Sequence, residues 1–159
     1  MASKYSIREI VDMAVQTEKL GYQFYTAMKG KFSNHEGLRN LFDTLSKMEL
    51  NHEILFTKML DSVGGPEPEG WEEAEHYFRA IVESEFFLGK NKSLASFDHL
   101  MTVVDAVNFA IGFEKETTLF FIGLRGAVPA NEKAIVDRII KEETSHIVWL
   151  TRFRDLEKS

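Results

Sequence analysis

Apolar residues recur along most of the chain at alternating steps of three and four positions, the spacing that puts them on one face of an α-helix. Sustained alternation with a period of two, which would indicate β-strands, is missing. The pattern predicts long helices over residues of about 6–30, 35–63, 96–125 and 131–154, with a shorter crossover helix at about 71–88. Two antiparallel helical hairpins joined by one long crossover predict an all-α four-helix bundle in a single domain, residues 1–159.

Residues typical of helix ends support these boundaries. Ser6 and Glu9 form the sequence pattern of a capping box at the start of the first helix. Gly64, Gly65 and Pro66 end the second helix, since glycine favours helix ends and proline cannot continue a helix.

The inward face of each long helix is apolar except near its middle, where it carries a glutamate. In the second and fourth long helices a histidine follows three positions later, about 300° around the axis, and so lies on the same face one turn along. These inward polar residues are Glu18, Glu49, His52, Glu114, Glu143 and His146. The pattern therefore predicts four carboxylates and two imidazoles together in the middle of the bundle.

The two hairpins repeat each other and place these residues at one height. Residues around Glu18 recur around Glu114 with an offset of 96, and Glu49 recurs as Glu143 with an offset of 94. In an antiparallel hairpin, two residues equidistant from the turn lie level. The midpoint of each glutamate pair falls inside the predicted turn of its hairpin, so both carboxylates of a hairpin are expected at the same level.

Four ionised carboxylates on dry helix faces would destabilise the fold, because burying even one unpaired charge is strongly unfavourable. No Lys or Arg lies on the four inward faces to balance them. Two divalent cations would neutralise the four charges, and carboxylate oxygen with imidazole nitrogen suits Fe, Mn or Zn. A glutamate from each of two helices with Glu-x-x-His from the other two is a di-iron ligand set. The alternatives are carboxyl groups that take up protons with raised pKa values, a satisfied polar core, or salt bridges between helices.

A third Glu-x-x-His sequence runs from Glu73 to His76. It has no partner in the repeat and lies among other acidic residues, so we expect it on a solvated helix face.

Composition narrows the function further. The formal net charge is −6, with no run of Lys or Arg, which argues against a nucleic-acid-binding protein. The sequence contains no cysteine, which excludes disulfides, thiolate nucleophiles and cysteine-ligated metal centres within it. No apolar leader or membrane-spanning run is present, so we expect a cytoplasmic protein without a membrane partner.

The segment Glu18-Lys-Leu-Gly-Tyr-Gln-Phe-Tyr25, its echo Glu114-Lys-Glu-Thr-Thr-Leu-Phe-Phe121 and the two paired Glu-x-x-His motifs resemble the rubrerythrin and erythrin-like branch of the ferritin-like superfamily. The resemblance covers essentially the whole chain. It implies a ferritin-like bundle with two iron ions bound by the six inward residues, and a homodimer that reacts with peroxide or dioxygen.

The chain departs from rubrerythrins at two points. Rubrerythrins have a rubredoxin domain with cysteine ligands that delivers electrons, whereas this sequence has no cysteine, so an external electron donor is expected. Rubrerythrins also have a second glutamate three residues beyond the first in the third helix, and Thr117 stands at that position here.

Two further features bear on function. Tyr25 lies two helical turns from Glu18 on the same face, where its hydroxyl would bond a ligand carboxylate or supply an electron; the alternative is a core aromatic residue. The crossover segment 71–88 is rich in apolar residues, so we expect it to pack over the bundle or to form the dimer contact.

Three functions remain open on the sequence. The first is a di-iron oxidoreductase that reduces peroxide or dioxygen. The second is ferritin-like oxidation and storage of Fe²⁺, and the third is a metal-stabilised helical interaction module without turnover.

Overall fold

The computed structural model describes residues 5–67, 69–82, 99–100 and 102–158, which form five α-helices and no β-strand. The helices are α1 (Ile7–Lys31), α2 (Glu36–Met59), α3 (Trp71–Val82), α4 (Val103–Ala127) and α5 (Lys133–Lys158). Short 3-10 turns follow α2 and precede α5. The predicted all-α fold is confirmed for this part of the chain.

Four of the helices form two hairpins that pack side by side. α1 packs against α2, and α4 packs against α5. α1 also contacts α4, and α2 contacts α5, so the hairpins close into a four-helix bundle. α3 lies in the connection between them and packs on α4.

Capping residues set the start of each hairpin. The backbone N–H of Glu9 donates to Ser6 Oγ at 3.1 Å, and the N–H of Ser6 donates to the Glu9 carboxylate at 2.7 Å, so the predicted capping box is present. Thr102 and Asp105 form a second capping box. α4 therefore begins at Val103, later than the predicted start at about residue 96; residues 91–98 lie outside the described part.

The other helix ends differ from the expectations in smaller ways. α5 continues to Lys158, beyond the predicted end at about 154, because neither glycine nor proline interrupts it. α2 gives way after Met59 to the 3-10 turn Leu60–Ser62, so the last turn of the predicted helix is tightened. Residues 83–88 of the predicted crossover helix lie outside the described residues.

Two apolar clusters fill the bundle, one on each side of its middle. One contains the start of α1 and the end of α2, including Val11 and Phe56. The other contains the end of α1 and the start of α2, including Met28 and Phe42. α4 and α5 contribute to both clusters in the same way. In every helix the inward glutamates and histidines therefore fall between two dry regions.

The described part of the crossover segment packs over the bundle, which is one of the two arrangements expected for it. Tyr77 Oη donates to the backbone carbonyl of Leu119 at 2.5 Å, and Phe78 is fully buried. A Cβ at Gly123 would lie 2.3 Å from Tyr77 Cε1. The absence of a side chain at Gly123 thus lets α3 approach α4 closely.

Within the residues that the structure describes, no helix combines the length and apolar composition needed to cross a membrane.

Candidate metal centre

The six side chains predicted to face inward meet in one layer at mid-bundle, which we call the polar layer. Each is fully buried, with 0% of its surface exposed. α1 and α4 each contribute one glutamate, while α2 and α5 each contribute a glutamate and a histidine one turn apart. The structure thus brings together every predicted ligand: Glu18, Glu49, His52, Glu114, Glu143 and His146.

The side-chain oxygens and nitrogens of the polar layer form two overlapping groups. In each group, one such atom from every member lies within 4.8 Å of those from the others. The first group is Glu18, Glu49, His52 and Glu143, and the second is Glu49, Glu114, Glu143 and His146. Glu49 and Glu143 belong to both groups. The layer therefore has the arrangement of two adjacent cation positions with two shared carboxylates.

Most polar atoms of this layer have no hydrogen-bond partner. Both oxygens of Glu18, Glu49 and Glu143, one oxygen of Glu114, and Nδ1 of each histidine are buried and unpartnered. An unpartnered buried polar group costs about 1–3 kcal/mol. In the described part of the chain, no Lys or Arg pairs with any of the six residues. Two cations would satisfy all of these atoms together, so the donor set fits a metal pair better than a self-contained polar core.

Both imidazoles point Nδ1 into the layer and Nε2 outward. His52 Nε2 lies 2.6 Å from the Glu142 carboxylate, and His146 Nε2 lies 3.3 Å from Met48 Sδ. The outer contacts fit a proton on Nε2, so Nδ1 is the nitrogen that would bind a metal once it has no proton of its own. His52 Nδ1 lies 2.8 Å from Glu143 Oε1 without a hydrogen bond between them. The two atoms are close enough to bind the same ion once Nδ1 has no proton.

The pKa values show what the layer does without metal. Burial, followed by the charge of a neighbouring carboxylate, raises the pKa of three glutamates well above its ordinary value: Glu18, Glu49 and Glu114. Burial lowers the pKa of His52, but the Glu143 carboxylate outweighs it and the net pKa rises to about 9. Burial also acts to raise the pKa of Glu143, but neighbouring side chains, His146 and His52 among them, hold it below its usual value. The metal-free layer therefore binds protons, and a metal must displace them.

Tyr25 contacts one of the predicted ligands directly. Its hydroxyl donates to Glu114 Oε1 at 2.5 Å and is fully buried. Burial and the Glu114 carboxylate raise the pKa of Tyr25, so the hydroxyl keeps its proton. Its repeat mate is Phe121, which packs on Phe56 with ring centroids 4.9 Å apart. Of these two repeat-related residues, Tyr25 therefore brings a hydroxyl to the polar layer and Phe121 does not.

Sequence reasoning missed three residues that shape the layer. Glu142 and Met48 hold the outer nitrogens of the histidines, and the offset of 94 that relates Glu143 to Glu49 also relates Glu142 to Met48. The third is Gly21, which is buried on α1. A Cβ there would lie 3.1 Å from Glu49 Oε2, so the absence of a side chain makes room for that carboxylate.

The remaining candidates lie apart from this contact set. Thr117 is buried on the inner face of α4, where the rubrerythrin pattern has its second glutamate. Glu73 and His76, the third Glu-x-x-His copy, are exposed on α3, as expected for a solvated face.

Comparison with known proteins agrees with this geometry. The sequence model of the rubrerythrin family matches residues 9–153. A crystal structure from Thermotoga maritima, described as a ferritin-like diiron-carboxylate protein, superposes with a TM-score of 0.70 at 21% identity, covering 98% of each chain. This likeness shows the fold, and the predicted ferritin-like bundle is confirmed. A search of curated proteins found no match.

Proposed function

Because the chain belongs to the rubrerythrin family, we propose that it binds two iron ions in the polar layer and reduces peroxide or dioxygen with electrons from an external donor. The observation that carries the proposal is the set of nine buried ligand atoms without hydrogen-bond partners. Carboxylate oxygen and imidazole nitrogen suit iron, and they also accept Mn or Zn, so availability decides occupancy.

The proposed ligands follow the two overlapping groups. Glu18 and His52 would serve one ion, which we call the His52 position, and Glu114 and His146 would serve the other, the His146 position. Glu49 and Glu143 would be shared between them. Four carboxylates match the charge of two divalent ions, so the loaded layer is neutral where the metal-free layer must take up protons.

When bound, the iron pair would supply the two electrons that reduce peroxide to two waters, a reaction that also consumes two protons. The protein's own contribution is exclusion of water and placement of protons. The two apolar clusters keep bulk water from the layer, which strengthens the electrostatic interactions inside it. Tyr25 holds a hydroxyl proton on its 2.5 Å hydrogen bond to Glu114, which makes it the proposed proton donor beside the centre.

Electrons would come from outside the polar layer. The sequence contains no cysteine, so no cysteine-ligated iron lies within it to deliver them. A separate reductant is therefore part of the proposal, and activity assays must supply one.

Anaerobic loading with Fe²⁺, followed by separate exposure to O₂ and to H₂O₂, tests the proposal. We expect the protein to bind two Fe²⁺ per chain and each oxidant to oxidise them, which is monitored by near-ultraviolet absorbance. With a chemical reductant present, H₂O₂ consumption should continue. Glu49→Ala or His52→Ala should abolish uptake while leaving helical content largely intact. Glu73→Ala is the matched control, because it changes the same motif on the exposed face of α3.

The outcomes separate the alternatives. Unchanged iron content in Glu49→Ala would overturn the site assignment. Iron far beyond two atoms per chain would favour storage, and bound metal that neither oxidant changes would favour an interaction module without turnover.

A further inference from the structure

The repeat that relates the two hairpins makes the histidines equivalent but gives them unequal neighbours. His52 and His146 occupy matching places, and so do the residues that touch their outer nitrogens. The His52 ring meets a carboxylate, Glu142 Oε2, at 2.6 Å. The His146 ring meets a thioether, Met48 Sδ, at 3.3 Å. The repeat symmetry of the polar layer is thus broken at this pair of positions just outside it.

Glu142 should strengthen the ligand that it holds. A hydrogen bond from a ligating imidazole to a carboxylate fixes the ring orientation and increases the donor strength of the other nitrogen. The carboxylate is 29% exposed, and its second oxygen lies 3.4 Å from Arg138 Nε. The Glu142 carboxylate therefore contacts the His52 ring with one oxygen, while Arg138 approaches the other oxygen from the solvent side and helps to hold the carboxylate in place.

The contacts at the other position act in the opposite sense. A thioether sulfur is a weak acceptor, so Met48 neither orients nor polarises His146 to the same degree. Tyr25 donates to Glu114 Oε1 and occupies one of its lone pairs, which weakens that oxygen as a ligand. Both oxygens of Glu18, the counterpart of Glu114, are free of hydrogen bonds. Both differences, the partner behind the histidine and the hydrogen bond on the glutamate, favour the His52 position.

We propose that the two metal positions are unequal and fill in a set order, the His52 position taking the first divalent ion and the His146 position the second. Glu142 is the positioning residue that sets this order. The inference rests on the proposed function, because it requires two metal positions. A partner of this kind changes metal affinity by about 10- to 100-fold, so we expect a first-ion preference of that size.

The location of the first ion is the measurement that tests the order. Stepwise affinities alone are not sufficient, because the shared carboxylates make the second ion bind more weakly even in a symmetric layer. The metal-free protein is given one equivalent of Co²⁺ and crystallised, and anomalous diffraction at the cobalt edge measures occupancy at each position. Calorimetric titration of the same samples gives the two affinities in solution.

Variants at the two repeat-related positions sharpen the test. Glu142→Gln keeps the shape but loses the charge, and should lower the first-ion affinity by about tenfold. The exchange Met48→Glu with Glu142→Met should move the first Co²⁺ to the His146 position. If the role of Glu142 is purely structural, these substitutions should lower the stability of the protein without changing the position of the first ion. Circular dichroism on each variant shows that the bundle is intact.

Each outcome bears on a definite claim. Equal occupancy in the wild-type protein, or a first ion at the His146 position, would overturn the order. The order would also be overturned if the first Co²⁺ stays at the His52 position in the exchanged variant. If the wild-type protein binds no Co²⁺ at all, the proposed function fails with it, whereas two ions bound without order refute the present inference alone.

Discussion

Replacing Glu49 by Gln separates a metal site from an ordinary polar core, because the two interpretations predict opposite changes in stability. Glu49 is fully buried, neither of its oxygens has a hydrogen-bond partner, and it belongs to both ligand groups. Glutamine has the same size and no charge. It should disable both metal positions while removing an unfavourable buried acid from the metal-free protein.

The magnitude follows from the raised pKa of Glu49. Burial and the Glu143 carboxylate raise the pKa of Glu49 well above its ordinary value of 4.5, and a raised carboxyl pKa lowers stability as pH rises above that ordinary value, by up to about 1.4 kcal/mol per pH unit. Metal-free Glu49→Gln should therefore be more stable than the metal-free wild type at pH 8, by at least about 1 kcal/mol, which corresponds to a shift of about one pKa unit. Metal shifts the balance toward the wild type. At a free metal concentration of 100 times Kd the wild type gains about 2.7 kcal/mol, or roughly 5–11 °C in Tm, and the variant gains none.

The assay is thermal and urea unfolding at pH 8, monitored by circular dichroism. Each variant is measured without metal and again with anaerobic Fe²⁺ or with Co²⁺. Glu73→Gln on the exposed face of α3 is the control and should behave as the wild type in both conditions. A metal-free Glu49→Gln that is several kcal/mol less stable than the wild type would show that Glu49 is a satisfied structural partner. A metal-induced rise in Tm that survives the substitution would refute its role as a ligand.

Three further predictions concern the pH dependence of stability, the room that Gly21 leaves for a carboxylate, and the Tyr25 hydroxyl. The pKa of His52 rises from 6.5 to about 9 on folding, so its contribution to stability is complete below pH 6.5 and is lost as pH rises through 9. The Tm of the metal-free protein should therefore fall between pH 6.5 and 9, while the rise in Tm caused by metal grows. A metal-free Tm that does not change with pH would contradict this prediction. Gly21→Ala should lower metal affinity by about tenfold, measured by calorimetry, because its Cβ crowds a shared carboxylate; Gly30→Ala, with nothing within 4 Å, should not. Tyr25→Phe should keep two ions per chain but slow H₂O₂ consumption by about 100-fold, the lower end of the range for losing a general acid. The exposed Tyr22→Phe is the control, and an unchanged rate in Tyr25→Phe would assign Tyr25 to packing.

Periodicity and turn symmetry predicted the polar layer correctly because the α-helix has a fixed rise and a fixed turn per residue. A glutamate three positions before a histidine must share its face, and two residues equidistant from a turn must lie level. Nothing about these relations depends on distant parts of the chain. The same reasoning misplaced the start of α4, because the apolar pattern continues through Leu100, which is buried without being helical. At a helix end, a residue can be buried on the inner face without being part of the helix. At the start of α4, Thr102 and its capping box set the boundary.

The sequence by itself thus determined the fold class, the inward face of each helix and the height at which the acids meet. Only the tertiary structure decided which of those acids are shared, which glutamate receives the Tyr25 hydroxyl, and that Glu142 and Met48 stand behind the two histidines. The reason is physical. Position along a helix axis is a local property of the chain, whereas the direction of a side chain across the bundle depends on how closely four helices approach and on the rotamers that their packing leaves.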